Sequence, residues 1–176
     1  MERTVTSRSR STGILAVLLI ALAVVPALAG AAEVFFSPEG GVRARLVQAI
    51  RQSHQSIDVA VYHITSIDLA DALADAHTRG VRVRIITDRE KLVELVRAAQ
   101  ILRRSGLSIR ALGVPTSSLM HNKFAVFDDR LVATGSYNWT NLAERVNYEN
   151  LVLLNDPDTV GRFAREFNRL WQEAKE

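Results

Sequence analysis

The chain contains no cysteine. Disulfide frameworks and cysteine-based zinc sites are therefore excluded, and an oxidising compartment poses no thiol hazard. Lysine is nearly missing too: positions 91, 123 and 175 hold all of it, so arginine is the default cation. A strong charge of one sign is also lacking. The formal net charge is +3, and residues 1–32 carry Arg3, Arg8 and Arg10 against Glu2, leaving 19 basic and 18 acidic side chains in the remainder. Such a balance gives no bulk attraction for nucleic acid, and any phosphate-binding field has to be local. No long linker and no internal repeat is visible. At 176 residues the chain suits one domain with a core of ordinary size.

The long hydrophobic run is single and lies near the start. After the arginine-bearing opening, Ile14 to Leu28 is almost wholly apolar, and Pro26 with Ala27, Ala29, Gly30, Ala31 and Ala32 follows. A charged region, an apolar region and small residues in an A-x-A-like pattern read as a signal peptide over 1–32, with cleavage expected between about Ala29 and Glu33. The alternative is an uncleaved anchor, since Ile14 to Ala32 is just long enough to span a bilayer. A transit peptide is a further alternative. The first reading predicts an exported domain at 33–176, periplasmic or secreted; the anchor would hold that domain to the membrane outside the cytoplasm.

From Glu33 onward strand and helix patterns alternate. Val34 to Phe36 reads as a strand, followed by a helix with Val42, Leu46, Ala49 and Ile50 on one face. Ile57 to Ile64 predicts a buried strand. Ser66 is expected to cap a second helix that Gly80 stops, with Leu69, Leu73 and Ala76 inward. A strand over Val81 to Ile86, a helix over Glu90 to Arg104, and a short strand over Ser108 to Leu112 come next. A loop is expected from Gly113 to Leu119. Lys123 to Phe127 and Leu131 to Ala133 read as strands joined by a tight turn at Asp128-Asp129-Arg130. Glu149 to Leu154 is a further strand, and Pro157 to Trp171 a last helix. The pattern predicts an α/β fold, a mixed sheet flanked by helices on both faces.

Chemistry concentrates between Met120 and Asn150. His121 and Lys123 stand two apart at the head of a strand, so they share a face of the sheet. Ser136 and Asn138 repeat that spacing after Gly135. Imidazole, ammonium, hydroxyl and amide together offer a base and several donors to a phosphate oxyanion. Lysine kept at position 123 in an arginine-rich chain suggests that a compact, strongly hydrated ammonium is wanted there rather than a planar fork. Tyr137 and Trp139 alternate with Ser136 and Asn138 and should face the core. His54 and His77 sit at helix ends, where a cation suits the dipole. Tyr62 and His63 stand at the close of the second strand and are expected to pack in the core, with lining the site as the alternative.

His121-Asn122-Lys123, four residues, Asp128, then Gly135-Ser136 and Asn138 resembles the H-x-K-x4-D…G-S-x-x-N signature of the phospholipase D superfamily. The stretch from Val34 to Trp171, with the Glu149-Asn150 pair, is similar to the small exported bacterial endonucleases of that superfamily. The resemblance implies a metal-independent phosphodiesterase with no cofactor, in which His121 attacks phosphorus to give a phosphohistidine. It implies that Lys123, Ser136 and Asn138 hold the non-bridging oxygens and that Glu149 accepts a hydrogen bond from the imidazole. Asp128 sits past the strand at a turn and reads as a structural member of the motif. The superfamily's chemistry also calls for two histidines, and this chain has one H-x-K: His54, His63 and His77 are followed two residues later by Ser56, Thr65 and Arg79. A homodimer sharing one active site is the remedy implied.

Three functions compete at this point. The first is a nonspecific endonuclease acting on DNA or RNA, with nucleic acid as substrate. The second is a phospholipid hydrolase acting on cardiolipin or a phosphatidyl lipid, and the third an idle nucleic-acid-binding scaffold. The last has no reason to keep His121, Lys123, Asn138 and Glu149 together. The domain shows no evident amphipathic stripe or polybasic segment for membrane docking, so membrane contact is expected only through an uncleaved N-terminal segment.

Overall fold

The computed structural model describes residues 32–92, 97–114 and 117–175. The leader read over residues 1–32 lies outside them except for its last residue. The elements run β1 (Glu33–Ser37), α1 (Val42–Gln52), β2 (Ser56–Val61), α2 (Ile67–Thr78), β3 (Arg82–Asp88), α3 (Arg89–Leu92), α4 (Arg97–Arg104) and β4 (Ser108–Val114). They continue through β5 (Ser118–Leu119), β6 (Lys123–Phe127), β7 (Leu131–Gly135), α5 (Asn141–Arg145), β8 (Glu149–Leu154) and α6 (Pro157–Glu173). The strands form one eight-stranded mixed sheet in the order β1-β8-β7-β6-β2-β3-β4-β5. Pairs β2–β3 and β3–β4 are parallel and the rest antiparallel.

Strand periodicity divides the core in two. Ile57, Val59, Val61, Val83, Ile85, Ala125 and Phe127 point to one face, where they meet Leu46 and Ile50 of α1, Leu69 and Leu73 of α2, and Leu102 of α4. Ala60, Ile86, Phe124, Val126 and Val132 point to the other and meet Val160, Phe167 and Leu170 of α6. The expected helices on both faces are therefore present. Every residue of β2 is buried, including Asp58, whose carboxylate is met bidentately by Arg84 at 2.8 and 2.7 Å. That guanidinium lies over the rings of Phe167 and Trp171, so one arginine both neutralises a buried charge and seats α6 on the sheet. Phe167→Ala would cost about 3–5 kcal/mol at such a site.

Beyond shifted strand ends, the structure differs from the sequence reading in four places, one being helix α5, where none was expected. The loop expected from Gly113 to Leu119 is partly a hairpin, with β4 running to Val114 and pairing with β5. Val114 and Leu119 are exposed there, so the hairpin carries no alternation of buried and exposed residues to give it away. Ser66 holds the N-cap position of α2, but its hydroxyl makes no capping bond and is buried. The N–H groups of Thr65 and Ser66 both donate to the Trp139 carbonyl, at 2.9 and 3.0 Å, which draws this turn into the core instead. The helix expected over Glu90 to Arg104 is seen as α3 and α4, and residues 93–96 between them lie outside the described residues.

Candidate active site

Antiparallel pairing collects the polar residues of three strands at one end of the sheet. There β6 and β8 begin and β7 ends. His121 and Lys123 arrive at the head of β6, Ser136 and Asn138 just past β7, and Glu149 at the first position of β8. With Gly135, these five side chains line one open depression of about 460 Å³. Between Ser136 and Asn138, Tyr137 points the other way and is buried, as is Trp139. The Tyr137 hydroxyl donates to Glu144 on α5 at 2.7 Å, and the same carboxylate oxygen accepts the Arg43 N–H at 3.1 Å. Burial first, and Glu144 second, push the Tyr137 pKa well above its ordinary value. The inward residues thus hold the segment while the outward ones face the depression.

Gly135 permits the close approach that joins β7 to β8. A Cβ there would lie 2.2 Å from the Asn150 carbonyl oxygen, so no other residue fits without moving a strand. The contact places Ser136 directly against Glu149: the Ser136 hydroxyl donates to the Glu149 carboxylate at 2.5 Å and accepts the Asn150 N–H at 3.1 Å. Asn147 donates to the other Glu149 oxygen at 3.0 Å. These bonds differ from the expected ones. The Glu149 carboxylate is engaged by Ser136 and Asn147 rather than by the His121 ring, and the Ser136 hydroxyl is committed to Glu149 rather than open to a phosphate. Asn147 escaped the sequence reading because a polar residue in a loop carries no periodic signal; its spacing of two from Glu149 is the only hint.

His121 is exposed, and its ring packs 4.8 Å from that of Tyr62, at an angle of 56°. The Lys123 ammonium donates to the His121 carbonyl at 2.6 Å and lies 5.3 Å from the Tyr62 ring, while the Lys91 ammonium lies 5.8 Å from the same ring. Tyr62, half-buried just past β2, therefore stands at the edge of the site rather than in the core as expected. Partial burial pulls the Lys123 pKa below the usual lysine value, with the nearby Glu149 carboxylate opposing. His63 is half-buried, and its carbonyl accepts the Trp139 N–H at 3.2 Å. Asn138 keeps a buried side-chain oxygen with no hydrogen-bond partner, an unusual cost for a folded chain.

Asp128 is not with the others. It lies at the far end of β6, where its carboxylate accepts the N–H groups of His54, Gln55 and Ser56 at 2.9, 2.7 and 2.9 Å. Its own N–H donates to the Ser56 carbonyl at 2.8 Å. Desolvation raises its pKa, but the three backbone donors and the nearby His54 outweigh this, and the net shift is downward. Asp128 and Asp129 both have positive φ, the geometry of a tight two-residue hairpin turn. Among the described residues no group of three or more His, Cys, Asp or Glu is gathered where it could hold a metal.

The family described as cardiolipin synthase, PLD-like domain, matches residues 46–171. The mitochondrial cardiolipin hydrolases of Xenopus tropicalis and Homo sapiens are 38% and 36% identical over 129 residues, which is 73% of this chain. The chain spans 60% and 50% of the length of those two relatives. Among solved structures, the phospholipase D family member Nuc from Salmonella typhimurium superposes with a TM-score of 0.74 at 31% identity, covering 82% of this chain and 96% of that one. NucT from Helicobacter pylori gives 0.73 at 25% identity, covering 82% and 97%. The curated relatives correct one expectation. They are mitochondrial proteins, which overturns the periplasmic or secreted location read from residues 1–32, and the segment that carried it lies outside the described residues. Among the described residues no helix is long and apolar enough to cross a membrane. The family match over residues 46–171, with His121, Lys123, Ser136 and Asn138 of the motif gathered at one end of the mixed sheet, places this chain in the phospholipase D superfamily.

Proposed function

We propose that the chain is a nonspecific endonuclease that hydrolyses DNA or RNA without a metal ion, as a homodimer. The observation that carries this reading is the lining of the depression: His121, Lys123, Ser136, Asn138 and Glu149 around a glycine, open to solvent, with no large apolar side chain to receive an acyl chain. A polymer backbone needs only its phosphodiester to enter. The near-complete coverage of Nuc and NucT supports the same choice.

In the proposed reaction a neutral ring nitrogen of His121 attacks phosphorus, and the bond from phosphorus to the leaving oxygen breaks. The partner's His121, protonated, gives its proton to that oxygen. Water then attacks the phosphohistidine, the P–N bond breaks, and the now neutral second imidazole takes the water's proton. Lys123 and Asn138 offset the charge on the non-bridging oxygens. Ser136 and Asn147 hold Glu149 in place at the pocket. Exposed Leu142, Val146 and Tyr148, on the segment between Asn138 and Glu149, supply apolar area beside the site for a second copy to cover.

A specific observation favours a second reading. The matching family and the curated relatives carry cardiolipin in their descriptions, and the same exposed apolar residues suit a lipid surface. One experiment separates the readings. The purified chain in EDTA is given plasmid, single-stranded DNA, RNA and cardiolipin vesicles in parallel. Consumption of nucleic acid with vesicles intact is expected. Hydrolysis of cardiolipin alone would establish the lipid reading, and turnover of neither would leave a binding scaffold. Activity lost on chelation and restored by a divalent ion would overturn the metal-free step. In a tagged mixed dimer, one wild-type and one His121→Ala chain should lose nearly all multiple turnover, whereas self-sufficient protomers would keep half.

A further inference from the structure

The His121 ring accepts and donates no hydrogen bond among the described residues, yet a nucleophile has to be held within a fraction of an ångström of its line of attack. What fixes it is its backbone. On the C-terminal side, the Asn122 carbonyl accepts the Tyr62 N–H at 2.9 Å, tying the segment to the end of β2. On the N-terminal side stands Asp88, the last residue of β3 and almost completely buried, at 1% exposure. One of its carboxylate oxygens accepts the N–H of Glu90 at 3.0 Å, a local bond at the start of α3. The other accepts the N–H of Met120 at 3.0 Å, across 32 residues of sequence. Met120 is itself buried and immediately precedes His121.

Room for this carboxylate is made by Gly113. That residue has φ +104°, and a Cβ on it would lie 2.9 Å from the Asp88 oxygen, 3.0 Å from the Ser118 carbonyl and 3.3 Å from the Met120 nitrogen. The β4–β5 hairpin therefore closes over the same contact from the other side, and Arg89 fastens it by donating to the Gly113 carbonyl at 3.2 Å. A carboxylate buried at the end of an apolar strand is costly, and ending β3 or starting a four-residue helix requires nothing so expensive.

We propose that Asp88 is a positioning residue: its buried carboxylate clamps the backbone at Met120 and thereby sets where the His121 imidazole stands in the site. The proposal rests on His121 being the nucleophile. An amide in place of the carboxylate keeps one acceptor and turns an NH2 group toward the other N–H donor, which breaks the clamp where that donor is Met120, whereas Asp88→Ala removes both acceptors.

Three measurements test it, two of which need no activity. In the wild-type chain the Met120 amide, outside any strand, should exchange hydrogen as slowly as the amides of β6; fast exchange would overturn the clamp whether or not any variant folds. Imidazole NMR of Asp88→Asn and Asp88→Ala should move the His121 ring shifts while those of His54 and His77 stay at their wild-type values. In the phosphodiesterase assay, Asp88→Asn should lower kcat about tenfold to a hundredfold with KM nearly unchanged. Gly113→Ala, which crowds the same oxygen, should move His121 in the same way, and the double variant should be little worse than either single one. Folded Asp88→Asn and Asp88→Ala chains that both keep the wild-type His121 ring shifts would refute the proposal. An inactive wild-type chain that showed the expected exchange, with variants that moved the His121 ring shifts, would instead count against the nuclease reading alone.

Discussion

The two ends of β6 carry the two halves of one sequence motif, and the structure treats them in opposite ways. At the head of the strand, His121 and Lys123 face an open depression, the Lys123 pKa is lowered by partial burial, and a neighbouring Asn138 oxygen is buried without a partner. At the tail, roughly 16 Å away across five residues, the Asp128 carboxylate takes three backbone N–H groups and its own N–H is bonded in return. One end keeps hydrogen-bonding capacity uncommitted, which costs stability; the other commits all it has, which fixes the register of β2 against β6. Spacing in a motif therefore does not mean a shared role. A strand between two motif members separates them in space and in function.

The sharpest way to break the comparison is to exchange its consequences. His121→Ala removes the proposed nucleophile from an exposed position, so activity should fall by at least about a thousandfold while thermal stability hardly changes. Residual turnover near the wild-type rate would show that the head of β6 is not where the chemistry occurs.

Lys123→Arg comes next in size. It preserves charge but replaces a compact ammonium, seated between the His121 carbonyl and the Tyr62 ring, by a fork too broad for the place. A loss of about a hundredfold in kcat is expected, the scale of losing one oxyanion donor. Beyond the fall that loss of the protonated general acid produces, burial of Lys123 should add a further limb on the basic side of the wild-type pH–rate profile, below the ordinary lysine value, as the ammonium loses its proton there. In Lys123→Arg that limb should disappear, since guanidinium stays charged throughout. An unchanged basic limb would assign it to another group.

How much of this was legible in sequence follows from where the signals come from. Apolar periodicity placed α1 on Val42, Leu46, Ala49 and Ile50, and β8 on Glu149 to Leu154, because burial is what that pattern records. The β4–β5 hairpin was missed because its apolar residues are exposed. The clustering of His121, Lys123, Ser136, Asn138 and Glu149 was implied by the motif, but their bonds were not: the Ser136–Glu149 pair depends on the Gly135 contact with Asn150, a property of strand register that no local pattern carries. Asp88 lies past the strand expected over Val81 to Ile86 and drew no reading, since its partner Met120 is fixed only by the tertiary fold.

The smallest expected effect concerns the tail of β6 and falls on stability alone. Asp128→Asn removes the charge from a group that accepts three backbone N–H bonds, two of them, from His54 and Gln55, at exposed positions that water reaches. Solvent replaces part of what is lost, so about 1–2 kcal/mol at neutral pH is expected, with activity per folded molecule unchanged. The sign with pH follows from the downward shift of the Asp128 pKa. Its stabilisation is fully present above the unfolded carboxyl value, roughly 3.9, and is lost as pH falls through the lower folded value. Wild-type and Asp128→Asn unfolding curves in urea should therefore differ most near pH 7 and converge in acid. A gap that stayed constant down to pH 2, or activity per folded molecule that fell with the substitution, would mean that the tail of the strand takes part in the chemistry at its head.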